Sequence, residues 1–264
     1  MSLLPAVCSK RREGLSEENF CDISSVRYAV KIQRIVEIVH FFIEKDTVLG
    51  CFRCYLCDMG KFIKHYALEI YTVLAMAFMV ATSFMNGLST IRLFVVVFNF
   101  LFILHEWEEG AYPGGFVDLI SSLLEVNLTD DLRRASRIPT GVFLVAVTAL
   151  PFIFDDVALF AVTIAVFGCF EGFIHVMGIK IFGLKKKYTP GMCTGLMEAA
   201  VGIGLITYLA VNHLAAWYDY LGGFFLFIAM FMCMQKTLTM MVGIRYRDLP
   251  KLIRRQLGRI RNRA

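Results

Sequence analysis

The sequence predicts an all-α membrane protein, a bundle of about six transmembrane helices with an amphipathic surface helix towards each end. Three observations predict it. The 264 residues are 58% hydrophobic with a mean hydropathy of +0.64. A soluble domain is only about 45–50% apolar, so this chain holds more apolar side chains than one core can use. The apolar residues gather into runs near the roughly 20 residues that cross a bilayer. The Lys and Arg residues fall in tails and alternate loops, which is how cations orient a membrane protein. The net charge of +5 therefore points to membrane orientation and not to nucleic acid.

Residues 1–65 read as a cytoplasmic tail. Its first 24 residues are polar (Lys10, Arg11, Arg12, Glu17, Glu18) and carry no cleavable signal peptide. Over 25–45, Val26, Val30, Val36, Val39 and Ile43 oppose Arg27, Lys31, Arg34 and Glu37. That pattern predicts an amphipathic helix too charged to span, lying on the membrane surface. Cys51, Cys54 and Cys57 follow at metal-site spacing but lack a fourth cysteine, so juxtamembrane palmitoylation is the preferred reading over metal.

Residues 66–243 form the transmembrane domain, with spans predicted over 66–86, 91–107, 139–154, 157–182, 190–211 and 217–243. The third is the shortest and is expected to tilt or to be partly re-entrant. Residues 116–126, with Phe116, Leu119, Ile120, Leu123 and Leu124 at helical spacing, are expected along the interface. Residues 244–264 form a basic amphipathic tail, expected to rest on anionic lipid.

Lys61 and Lys64, then Arg133, Arg134 and Arg137, then Lys185 to Lys187, then the tail from Arg245 all fall on one side. Arg92 is the exception. Both termini are therefore expected in the cytoplasm, and the Asn127-Leu128-Thr129 sequon is expected to carry no glycan. Asp155 and Asp156 read as a solvated turn.

Ionisable residues inside a bilayer are costly and mark function by default. Span two ends in His105-Glu106-Trp107-Glu108-Glu109, whose i, i+3 and i+4 positions put His105, Glu108 and Glu109 on one face. Span four carries Glu171 and His175, and span five Glu198. Glu69 sits near an interface. Span four runs inward and leaves His175 roughly 10 Å short of its cytoplasmic end; span five starts there and carries Glu198 to roughly 12 Å. Three distant segments thus place acids and imidazoles at one depth. Two histidines and four glutamates match the ligand inventory with which bundles hold metal ions. Without thiolates they suit iron, manganese or zinc, as one ion or two.

His105-x-x-Glu108-Glu109, with Tyr112-Pro113-Gly114-Gly115, Glu171-x-x-x-His175 and Tyr188-Thr189-Pro190-Gly191, resembles the HXXEE-domain family of multi-pass membrane proteins over about residues 68–210. That family is functionally uncharacterised, so the resemblance implies a membrane fold and a shared site without a reaction. The sequence ranks three functions: a metal-dependent enzyme acting on a lipid or other apolar substrate, with Glu106 or Glu109 as general base; a proton- or cation-coupled transporter using the same acids; and a non-catalytic structural or assembly protein.

Overall fold

The computed structural model describes residues 60–261. The predicted helix over 25–45 and the group Cys51, Cys54 and Cys57 lie outside the described residues. Among the described residues every regular element is helical. In chain order they are α1 (Gly60–His65), α2 (Ala67–Ser83), α3 (Thr90–Gly110), α4 (Phe116–Leu124), α5 (Asp130–Ala135), α6 (Arg137–Ile153), α7 (Ala158–Ile181), α8 (Met192–Val211) and α9 (Trp217–Met241). A 3-10 turn over Tyr246–Asp248 leads into α10 (Leu249–Arg261).

Five helical stretches are long and apolar enough to cross a membrane: α3, the joined α5–α6 over Asp130–Ile153, α7, α8 and α9. The remaining predicted span, the first, is α2, which at 17 residues is shorter. It covers about 26 Å against a hydrocarbon core of about 30 Å.

The structure therefore exchanges two expectations. The third predicted span is not the short one, because the helical path begins well before Pro139. Ser136, at φ −64° and ψ −21°, keeps helical geometry between α5 and α6, and its Oγ donates to Arg133 O at 2.7 Å. The three arginines read as a loop lie on these helices, and each reaches out to a neighbouring element. Arg133 pairs with Asp118 and Asp130, both at 2.7 Å, Arg134 meets His65, and Arg137 donates to Gly110 O at 2.8 Å.

Asp155 and Arg92 are likewise not two solvated loop charges. Arg92 Nη2 lies 3.0 Å from Asp155 Oδ1, while Ser89 Oγ donates to Asp155 Oδ2 at 2.5 Å. Ser89 also caps α3 by accepting from Arg92 N. The one arginine out of step with the charge pattern is thus neutralised where it sits.

Helix α7 is the centre of the bundle. Ala161, Val162, Ile164, Ala165 and Phe167 are buried, and the helix packs against α6, α8 and α9. Lipid tails are as apolar as leucine, so cohesion here comes from close packing and interhelical hydrogen bonds. Aromatic pairs supply part of it: Phe102 with Phe167 at 5.2 Å between centroids, Phe143 with Phe167 at 4.9 Å, and Phe170 with Phe231 at 4.8 Å. Between α7 and α8 the backbones themselves meet. A Cβ on Gly202 would stand 2.5 Å from Ala165 O, and one on Gly172 would stand 2.6 Å from Ala199 Cβ. Only glycine permits that approach, and it is what brings Glu171 and His175 against α8.

Candidate metal centre

Three helices and one loop meet at the C-terminal ends of α3 and α7. The last two turns of α3 deliver His105, Glu108 and Glu109, α7 delivers Glu171 and His175, and α8 delivers Thr194 and Glu198. The loop before α8 contributes Tyr188, Thr189 and Gly191.

Two imidazole nitrogens face two carboxylates. His175 Nε2 lies 3.1 Å from Glu109 Oε1 and 3.6 Å from Glu171 Oε2. His105 Nε2 lies 3.5 Å from Glu109 Oε1 and 3.6 Å from Glu171 Oε2. An ion bound tetrahedrally at 2.0–2.2 Å separates its ligand atoms by about 3.4 Å. The observed separations sit around that value. His105, Glu171 and His175 also bring one ligand atom each within 4.8 Å of one another, and can hold a metal ion. The two rings stand edge to face with centroids 5.0 Å apart, and Phe116, at the start of α4, lies 4.7 Å from the His175 ring.

The site is dry on its histidine side and opens towards its acids. His175 is fully buried and the His105 side chain is 7% exposed, against 17% for Glu109 and 13% for Glu171. His175 Nε2 is buried without a hydrogen bond, its contact with Glu109 lacking hydrogen-bond geometry. Buried polar atoms are almost always satisfied, so an orphan aimed at two carboxylates fits a ligand.

The remaining predicted residues separate. Glu108 does not face the histidines. Its Oε1 accepts from Tyr188 Oη at 2.5 Å and Cys193 N at 3.1 Å, and its Oε2 accepts from Thr194 N at 2.9 Å and Thr194 Oγ1 at 2.5 Å. It therefore holds the first turn of α8, where free backbone N–H groups and the helix dipole favour an anion. Tyr188, in the loop, has its phenol pushed above the ordinary tyrosine range by burial and by its bond to the Glu108 carboxylate. Glu198 is fully buried, neither of its oxygens has a hydrogen-bond partner, and its Oε1 lies 3.8 Å from His105 Nδ1. Glu106 is half-buried, about 100° round α3 from His105, with Glu109, His105 and Arg137 as electrostatic neighbours.

Four contributors carry no role in the sequence reading. Thr194 Oγ1 lies 2.9 Å from His105 Nδ1, and Thr189 Oγ1 lies 3.2 Å from His175 Nδ1. Gly191, at φ +90°, backs onto the site so closely that a Cβ would meet His175 Cε1 at 2.5 Å and Glu109 Cγ at 2.8 Å. Tyr188 completes the set. One signal was available: Thr194 precedes Glu198 by four residues and so shares its face of α8.

With this geometry in place, comparison with known proteins adds one finding. A family model described as a protein of unknown function with HXXEE motif matches residues 96–204. Residues 96–204 match the HXXEE family. The matched segment contains every residue named above from His105 to Glu198, and it leaves out α2, α9 and α10. The HXXEE match therefore covers the site, all of α7, and the parts of α3 and α8 that carry its residues. No curated protein and no solved structure matches the chain.

Proposed function

We propose that this protein is a metal-dependent membrane enzyme whose centre is held by His105, His175, Glu109 and Glu171 and acts on a lipid or another apolar substrate. The observation that carries the reading is the set of four nitrogen–oxygen separations, from 3.1 to 3.6 Å, between two imidazoles and two carboxylates, of which His105, Glu171 and His175 form a group able to hold an ion. Iron, manganese or zinc suits two imidazoles and two carboxylates, and such an ion supplies Lewis-acid or, for iron, redox chemistry. The protein's own groups do the rest. The histidines fix the centre on its buried side, and the slightly exposed edge at Glu109 and Glu171 is where a substrate approaches. Glu106 is the base best placed outside the ligand set, and Glu198 is available to a second ion or to a proton. In the topology that the basic residues favour, with α2 as a sixth span and both termini cytoplasmic, this edge lies towards the cytoplasmic leaflet, within reach of membrane lipids.

Elemental analysis of detergent-purified protein tests the reading. About one or two ions per chain are expected, lost in His105→Ala and His175→Ala while the helical content stays. Metal-free wild type, prepared without chelators, would sink it. The rival transporter reading draws on Glu198, a buried acid without a hydrogen-bond partner. Cation flux into proteoliposomes that Glu171→Gln abolishes would put that reading first.

A further inference from the structure

We infer that Tyr188, Glu108 and Thr194 form a positioning chain that dictates which ring nitrogen of His105 faces the centre, and that Thr189 does the same for His175. The inference deepens the metal reading and rests on it.

The argument is one of counting protons. Each Glu108 oxygen accepts a backbone N–H, from Cys193 and from Thr194, and meets one hydroxyl besides, which are the surroundings of an ionised carboxylate that only accepts. Thr194 has a single hydroxyl proton. An ionised Glu108 Oε2 at 2.5 Å brings no proton of its own, so the hydroxyl proton must lie in that contact, and Oγ1 presents only lone pairs to His105 Nδ1 at 2.9 Å. Nδ1 must then carry the ring proton. In the neutral ring that a ligand requires, Nε2 then holds the lone pair, on the side of Glu109 and Glu171.

Thr189 reaches the same result by a separate route. Its hydroxyl donates to the His175 backbone oxygen at 3.0 Å, so it can only accept from His175 Nδ1 at 3.2 Å. Both histidines are thereby set in the Nε2-ligand form. Metal-bound histidines generally donate their second nitrogen in this way, and the partner tunes affinity. Both threonines and the glycine that backs His175 fall within six residues, Thr189 to Thr194, at the entry to α8. The chain on His105 ends at Tyr188, 36% exposed, so a loop residue reaches the buried ring through two intermediates.

The test uses the full chain in detergent with zinc as the probe. Thr194→Val keeps the shape and removes the acceptor, Thr194→Ser restores it, and Tyr188→Phe removes only the outer link. Zinc affinity, measured by chelator competition, should fall about 10–100-fold in Thr194→Val and less in Tyr188→Phe, and should return in Thr194→Ser. Nitrogen-15 spectra of labelled histidine should show a protonated His105 Nδ1 in wild type, shifted in Thr194→Val and restored in Thr194→Ser. A Thr194→Val protein with wild-type zinc affinity and an unchanged spectrum would overturn the chain. Should wild type bind no zinc, the metal reading falls by itself, and the spectra alone then judge the chain: an Nδ1 signal that tracks the hydroxyl upholds it, and one indifferent to the hydroxyl overturns it.

Discussion

Replacing Gly191 by alanine tests the centre at its tightest point. The residue sits at φ +90°, where a side chain is strained, at a cost of about 1–2 kcal/mol. The added Cβ would also stand 2.5 Å from His175 Cε1 and 2.9 Å from its Nε2. Ordinary carbon–carbon contact is about 3.5 Å, so the imidazole has to retreat by about 1 Å. Metal–ligand distances tolerate only about 0.2 Å, and a ring pinned at Nδ1 by Thr189 cannot follow a displaced ion. Loss of at least one ligand follows, with zinc affinity down by about 100-fold or more. The control is Gly87→Ala, at φ +73° with nothing within 4 Å of its Cβ. It meets a similar backbone cost without touching the site. Thermal stability should fall in both variants, further in Gly191→Ala because of the added contact, while zinc binding by chelator competition fails only in Gly191→Ala. Equal zinc affinity in the two would refute the argument that backbone proximity at Gly191 sets the position of His175.

Other expectations can be checked alongside. Gly202→Val forces a side chain against Ala165 O, 2.5 Å from the new Cβ, and should destabilise the α7–α8 contact by about 1–3 kcal/mol. Gly204→Ala, whose Cβ would meet Phe94 at an ordinary 3.6 Å, should be neutral or better in the same thermal assay. Asp155→Asn weakens the Arg92 pair and the Ser89 bond at the far end of the bundle. Both ion-pair partners are partly exposed, so the loss should be about 1 kcal/mol, with zinc affinity unchanged. Asn127 should show no glycan by mass shift after glycosidase treatment in a glycosylating host, and an occupied site would invert the cytoplasmic orientation.

Much of the site was legible because charge inside an apolar run is conspicuous. His105, Glu109, Glu171 and His175 stand out against phenylalanine and valine, and helical depth alone placed them at one level. What the sequence could not do was choose between Glu108 and Glu109. Both share the face of His105, three and four residues on, and nothing local tells them apart. The choice is made by α8, whose N-terminus presents backbone donors to Glu108 and leaves Glu109 to the histidines. Thr194 was hard to read for a related reason. A threonine in an apolar helix usually bonds its own backbone, as Thr72 and Thr207 do here, so its place on the face of Glu198 was the one signal it gave. The start of the third span was misplaced at Arg133, Arg134 and Arg137. Their charges look like a loop, but long side chains can reach polar partners while the helix continues beneath them.

Polar residues elsewhere in the bundle show what a packing role looks like, and the centre differs from it. Asn99 is buried and donates to Ala75 O at 3.0 Å, and Trp107 Nε1 donates to Thr72 Oγ1 at 2.9 Å. Each joins two helices with its donor satisfied, as a structural group should. His175 Nε2 and both oxygens of Glu198 are buried and have no hydrogen bond. A group kept only for packing has no reason to carry that penalty, since leucine would fill the space at lower cost in lipid. The two classes should separate on substitution. Asn99→Leu should change thermal stability by about 1 kcal/mol in either direction and leave zinc affinity at the wild-type value. Glu171→Gln should hold stability within about 1 kcal/mol, because it removes a charge facing other acids, and should lose zinc. A Glu171→Gln protein that unfolds early and still binds zinc like wild type would place Glu171 with Asn99, among the residues that hold helices together.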